Sequence, residues 1–322
     1  MQRPRFLPDD FTLVLIGVVT LASLFPARGA VAQAFEWITT AAIALLFFMH
    51  GAKLSRANVV AGLSHWRLHL LVLGFTFGLF PMLGLLLKPV FAWTLSPELA
   101  VGMLFLCALP ATVQSAIAFT AMARGNVAAA VCSASASSLI GVFVTPLLVS
   151  WLVVPGEGAG TQAWDAVWRI MQQLLLPFAL GQLMQPLIGN FVKRHASTLR
   201  MVDQSSILLV VYTAFSAAVI EGLWTRVPLP LLLVLTAACC ALLALVLWIT
   251  TVGSRKLGFS KEDEITIVFC GSKKSLASGV PMAKVLFAAP QVGMMLLPLM
   301  IFHQIQLMVC AIMAQRYGQR VD

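Results

Sequence analysis

Charge is what this 322-residue sequence has least of: only 10% of it is Asp, Glu, Lys or Arg, against 60% hydrophobic residues. A soluble globular domain carries about 25% charged residues. A fold of this length facing water would bury a large core but would lack the polar groups for its surface. Water is therefore excluded as the main solvent. A separate soluble domain is excluded too, because the polar connections reach only about ten residues. The six cysteines (Cys107, Cys132, Cys239, Cys240, Cys270, Cys310) all fall inside apolar stretches and none has C-x-x-C spacing. They read as buried thiols, and neither a metal nor a cofactor is expected. Neither a G-x-S-x-G elbow nor an H-E-x-x-H pair occurs, which removes two common hydrolase signatures. Acidic residues are missing from the middle of the apolar stretches: Glu36, Glu98, Glu221 and Glu264 all lie towards their ends.

What is present is a succession of apolar stretches of the roughly 20 residues that a bilayer core requires. Ten spans are drawn, at 11–27, 34–51, 67–88, 97–123, 126–153, 164–191, 198–221, 229–252, 261–288 and 290–315. The net charge of +9 does not point to nucleic acid, because the basic residues sit in short clusters between these stretches. With ten spans, one side collects fourteen lysines and arginines, from Arg3 and Arg5 through Arg124 and Lys256 to Arg316 and Arg320. The other side collects Arg28, Lys88 and Arg226. The positive-inside rule then places both termini in the cytoplasm and the chain in a bacterial inner membrane. Ala27-Arg28-Gly29-Ala30 is a poor cleavage site, so the first stretch is read as a retained span.

The chain also reads as two halves. Ser96-Pro97-Glu98 opens the fourth span and Ser260-Lys261-Glu262 opens the ninth, each serine placed to cap a helix. Both spans are interrupted, the fourth at Pro110-Ala111-Thr112 and the ninth at Gly271-Ser272-Lys273-Lys274-Ser275. Proline removes a backbone donor and glycine is permissive. Five spans per half put the second half upside down, an inverted repeat over 9–153 and 162–316. The expectation is an all-α polytopic membrane protein in which the two broken helices cross. The alternative is that 261–274 is a cytoplasmic loop and the ninth span starts at Ser275.

Half-helices starting near Thr112 and Ser275 would present free N–H groups and positive dipole ends. Thr112, Gln114 and Ser115 stand at the first break, and Ser272, Lys273, Lys274, Ser275 and Ser278 at the second. An ammonium at mid-bilayer costs roughly 2.5–3.5 kcal/mol on insertion scales. Adjacent helical residues point about 100° apart, so one lysine is expected to face a cleft while the other snorkels or pairs elsewhere. Asn126, Ser133 and Ser137 share one face of the fifth span, and His303, Gln304 and Gln306 stand on the tenth. Each set serves either as a hydroxyl- or amide-lined wall beside the breaks or as ordinary packing.

The segments Phe47-Phe48-Met49-His50-Gly51-Ala52-Lys53-Leu54-Ser55, Leu109-Pro110-Ala111-Thr112-Val113-Gln114-Ser115, Ala123-Arg124-Gly125-Asn126-Val127 and Gly271-Ser272-Lys273-Lys274-Ser275-Leu276-Ala277, with His65-Trp66-Arg67-Leu68-His69, together resemble the bile acid:sodium symporter superfamily. The similarity is to its bacterial branch, near the solute carrier family 10 member 7 type. The resemblance implies ten helices in two inverted repeats, a core bundle of spans 3–5 and 8–10, and a panel of spans 1, 2, 6 and 7. It also implies a binding site where the fourth and ninth spans cross. Sodium-coupled members carry a Ser-Asn pair after the first break, where this chain has Ser115-Ala116. Their Glu and Gln at the second break correspond to Phe269 and Lys273, and their sodium-binding hydroxyls in the fifth span to Ala130 and Ala134.

The reading is a carrier for a small organic anion in which a lysine ammonium stands where sodium sits in relatives. Burial disfavours the charged form of a lysine, so Lys273 or Lys274 is a candidate to release a proton and couple transport to pH. The bilayer, an organic anion and a proton are the expected partners, and no enzymatic activity is expected. Two other readings stay open: a regulatory or scaffold membrane protein without transport, and an intramembrane enzyme using the serines and His303.

Overall fold

The structure, a computed structural model, describes residues 10–53, 65–153, 161–287 and 289–320. Arg3, Arg5, Asp9, Leu54, Ser55 and Arg56 lie outside the described residues. All regular structure among the described residues is helical. The helices are α1 (Asp10–Leu24), α2 (Gly29–Lys53), α3 (Trp66–Thr94), α4 (Pro97–Ala108), α5 (Gln114–Met122), α6 (Val127–Val153), α7 (Thr161–Arg194), α8 (Ala196–Ile220), α9 (Leu223–Arg226), α10 (Leu229–Lys256), α11 (Lys261–Gly271), α12 (Leu276–Leu286) and α13 (Ala289–Gly318).

Among the described residues, seven helices are long and apolar enough to cross a membrane: α2, α3, α6, the Leu174–Val192 part of α7, α8, α10 and the Gln291–Gly318 part of α13. Shorter apolar helices occupy Leu13–Leu24 and Pro97–Ala108. The outer surface carries large apolar side chains that water would not tolerate in such number. Trp93 is 88% exposed, Trp37 79% and Leu187 78%.

Local chemistry accounts for the helix ends. Ser96 and Ser260 cap α4 and α11 as expected, accepting from Leu99 N–H and Asp263 N–H. Leu109 is extended (φ −74°, ψ 154°) because Pro110 crowds the α conformation of the residue before it. α4 stops there and the chain resumes as helix only at Gln114. On the other side α11 ends at Gly271 and Ser275 caps α12 through Ser278 N–H. Residues 261–271 are thus a helix, buried from Glu264 onward, and the loop alternative falls.

The role expected of Gly271 needs correction. Positive φ among the described glycines occurs at Gly29, Gly222 and Gly258. At Gly271 a Cβ would stand 3.2 Å from the Phe75 ring, so the glycine makes room rather than a turn. One irregularity escaped the sequence reading altogether: Phe75–Leu79 winds as a π-helix inside α3.

α2 and α7 pack at very short range. A Cβ on Gly181 would stand 1.9 Å from the carbonyl oxygen of Phe48, and one on Gly51 2.1 Å from that of Phe178. Overpacking typically costs about 1–3 kcal/mol, and here the obstruction is backbone that cannot turn aside. Gly181→Leu is therefore expected to lower the melting temperature in detergent sharply. Gly17→Ala, with nothing within 4 Å of its Cβ position, should leave it unchanged.

Candidate functional site at the two helix breaks

The two interruptions touch. Ser275 N–H donates to the carbonyl of Pro110 at 2.9 Å, so the start of α12 is bonded to the unwound chain between α4 and α5. Breaking α4 also strips intrahelical partners from its last carbonyls. The carbonyl of Ala108 accepts from Thr145 Oγ1 at 2.9 Å, and Ala111 N–H donates to Ser137 Oγ at 3.0 Å.

Lys274 takes two of the remaining carbonyls. Its Nζ donates to Leu109 O at 2.6 Å and Cys107 O at 3.1 Å, and its third proton goes to Thr76 O at 2.9 Å. The Thr76 carbonyl is vacant for a definable reason. Phe80 N–H, its ordinary helical donor, reaches back to Phe75 O in the π turn, and the next residue, Pro81, has no N–H. The ammonium also lies 4.0 Å from the centre of the Phe80 ring. Its peptide group is clamped by Gln306, whose Oε1 accepts from Lys274 N–H and whose Nε2 donates to Lys274 O, both at 2.9 Å. The same Gln306 amide reaches His303 Nδ1 at 2.9 Å.

Lys273 points elsewhere. Its Nζ donates to Ser115 O at 3.0 Å and lies 3.8 Å from the centre of the Phe119 ring. Both lysines are fully buried, and no carboxylate pairs with either among the described residues. This corrects the expectation that one lysine faces a cleft while the other snorkels: backbone oxygens and aromatic faces take up both ammonium groups.

A cavity of about 210 Å³ opens beside the breaks. Thr112, Gln114, Ser115, Ser275, Ser278 and His303 line it. Ser115 Oγ donates to Thr112 Oγ1 at 2.9 Å. His50 of α2 and Arg200, Asp203 and Gln204 of α8 belong to the same lining. An adjoining space of about 170 Å³ shares His50, Gln114 and Asp203 and adds Lys53 and Ser135.

Several expected residues do not line this cavity. Asn126 Oδ1 accepts from Ala129 N–H to cap α6, and its Nδ2 donates to Asp263. Ser133 pairs with His69 at 2.6 Å. Ser137 is buried against the first break, and Ser272 turns its hydroxyl back to Val268 O. Gln304 lies outside the lining, one helical position from His303. The hydroxyls of α6 that reach the cavity spaces are Ser135 and Ser138. The face carrying Ser133, Ser137 and Gly141 is the packing face: a Cβ on Gly141 would stand 2.6 Å from Pro110. The sequence reading missed Thr76, His50, Lys53, Arg200 and Asp203. Pro81 inside a span, which strands a carbonyl one turn back, was the available signal for the first.

The description of the SBF-like CPA transporter family matches residues 9–319. The chain belongs to this family. Among its relatives, PA2026 of Pseudomonas aeruginosa is 65% identical over 322 residues, covering 100% of this chain and 96% of the relative. YfeH of Escherichia coli is 60% identical over 318 residues, covering 98% and 94%. Sodium/bile acid cotransporter 7 of Rattus norvegicus is 26% identical over 304 residues, covering 94% and 89%. Family membership and the seven long apolar helices make the chain a multi-pass membrane transporter.

In this SBF-like transporter, Lys274→Met would orphan three carbonyls, each worth about 1–3 kcal/mol when left unpaired and buried. Lys273→Met would free one carbonyl and the faces of Phe119 and Phe269. Thermal unfolding in detergent should therefore rank the two variants, with Lys274→Met several degrees below Lys273→Met. The reverse order would remove Lys274 as the tie between the breaks.

Proposed function

We propose that the protein carries a small organic anion across the bacterial inner membrane by alternating access, with Lys273 and Lys274 standing as fixed cations in place of bound sodium. The observation that carries this reading is the Lys274 ammonium, held by three backbone carbonyls at the contact between two broken helices. Carbonyl cages of this kind hold alkali cations in membrane proteins. Here the charge is covalently attached and has no path to leave.

The cavity supports an anionic substrate. The N-terminal ends of α5 and α12 reach it at Gln114, Ser115 and Ser275, and helix N-termini favour negative charge. Arg200 adds a guanidinium. The volume of about 210 Å³ is below the roughly 300–1,000 Å³ of sites that bury drug-sized ligands, which fits a small solute.

The proposed architecture is ten spans in two inverted repeats, 9–153 and 162–316, with α4/α5 and α11/α12 as the broken fourth and ninth. Helices α3–α6 and α10–α13 would form the core bundle and α1, α2, α7 and α8 the panel. Both termini would lie in the cytoplasm. The absence of oxygen-bearing side chains at Phe269, Lys273, Ala130 and Ala134 argues for transport without sodium.

The test is uptake of labelled benzoate and succinate by inside-facing membrane vesicles and proteoliposomes. Accumulation is expected to be the same within about twofold when all sodium is replaced by choline. Uptake that stops without sodium would end the fixed-cation reading.

A further inference from the structure

The segment His65-Trp66-Arg67-Leu68-His69 leads into α3 and takes no part in the cavity at the breaks. His69 pairs with Ser133, which fixes this end of α3 on α6. Beside it the chain passes from α10 to α11 in a tight turn. Gly258 takes φ +74°, which glycine adopts without steric cost. Phe259 N–H reaches back to Ser254 O at 3.3 Å, and Ser260 caps α11. Between the two segments lies a hollow of about 270 Å³, whose lining includes His65, Trp66, Arg67, Phe259, Ser260 and Asp263. It shares no lining residue with the cavity at the breaks.

Positive charge is left over here. Arg67 is exposed, and its guanidinium lies 5.7 Å from the centre of the Phe259 ring. Among the described residues it forms no ion pair, and neither does the exposed Lys256, two residues before Gly258. The acids in the first turn of α11 are already engaged. Glu262 pairs with Arg320, and Glu264 pairs with Arg255 and Lys261. Asp263, the carboxylate in the lining, accepts from Asn126 Nδ2 at 2.9 Å. The surroundings are those of a membrane edge. Trp66 and Leu70 are 60% and 58% exposed. Residues four apart share a helix face, so an apolar wall runs from the hollow along α3, a helix long enough to span. Tryptophan at such an end marks the membrane–water boundary.

We infer that this hollow binds the headgroup phosphate of an anionic phospholipid, with Arg67 as its anchor. A guanidinium presents paired donors that match phosphate oxygens, and Lys256 adds attraction from the end of α10. The acyl chains lie along Trp66 and Leu70, a wall for which a soluble anion has no use. The proposed topology puts this end of α3 on the cytoplasmic side, where basic pockets between membrane helices take anionic headgroups. The lipid bridges the start of α3 to the turn that leads into α11, the helix that ends at the second break. The inference needs the membrane setting but not the anion-carrier reading.

Purified protein in uncharged detergent tests this, with phosphatidylglycerol, phosphatidylcholine and inorganic phosphate added separately. Phosphatidylglycerol should raise the melting temperature by several degrees and stay bound in native mass spectrometry, and neither of the others should do so. Arg67→Gln should weaken phosphatidylglycerol binding about tenfold, the loss of a charge-assisted contact. Without lipid it should melt with the wild type, which separates lost binding from a damaged fold. Lys256→Gln should also bind less tightly, with the difference shrinking at high salt. Arg226→Gln, on the opposite side of the membrane, should bind as the wild type does. Equal stabilisation by phosphatidylcholine, undiminished binding in both Arg67→Gln and Lys256→Gln, or an equal loss in Arg226→Gln overturns the inference. Stabilisation by inorganic phosphate as large as by phosphatidylglycerol makes the hollow a site for a soluble anion and overturns the lipid assignment.

Discussion

A backbone carbonyl released inside an apolar protein needs a donor, because lipid offers none and an unpaired group costs several kcal/mol. Breaking α4 releases carbonyls at Cys107 and Leu109, and the π turn before Pro81 releases another at Thr76. Side chains from α6 serve the neighbouring groups one at a time. These three converge, and a single ammonium with three protons matches them in number. Lys274 thus makes two irregularities, in α3 and between α4 and α5, tolerable together. It arrives from the third irregularity, the gap between α11 and α12. The breaks are mutually dependent, each supplying what another lacks.

That dependence extends to the cavity wall. Gln306 grips both sides of the Lys274 peptide and also touches His303, which lines the cavity. A change of position at the second break would therefore be felt by α13. Close contacts hold the frame around it: a Cβ on Gly102 would stand 2.6 Å from Met295 O, and one on Gly279 2.6 Å from Leu109 and Leu299. α4 and α13 are in backbone-level contact and α12 packs closely on the Leu109 and Leu299 side chains, so little slack separates the site from its supports.

The sequence made the element ends legible wherever the cause was local. Ser96, Ser260, Pro110 and the polar run 272–275 act within a turn or two, and the helices stop and start beside them. Side-chain direction was less legible. Asn126, Ser133 and Ser137 were read as one face of a helix, but Asn126 caps α6 from outside it, and spacing says nothing of which face meets a cavity. Close packing against Pro110 claimed that face. The α2–α8 pairing was not legible at all, since Lys53 and Asp203 lie 150 positions apart and each reads alone as an ordinary polar residue near a span end. The π turn escaped for a different reason: Phe75–Leu79 has no composition of its own, and only the missing N–H of Pro81 marks it.

Burial decides which charges can take part in exchange. Lys273 and Lys274 were the sequence's obvious candidates for releasing a proton, but both are fully enclosed and bonded to backbone oxygens. A proton leaving Lys274 would remove a donor from a three-way contact that holds the breaks together, so a transport cycle run through it would loosen its own scaffold at every turn. Lys53 and Asp203 carry no such duty towards the breaks. They are partly open to the cavity, join two helices by one contact, and leave an oxygen unsatisfied. The physical division is between charge that must stay fixed for the broken helices to persist and charge that joins two other helices by a single, partly exposed contact. The second kind lies on α2 and α8, in the lining of the cavity spaces.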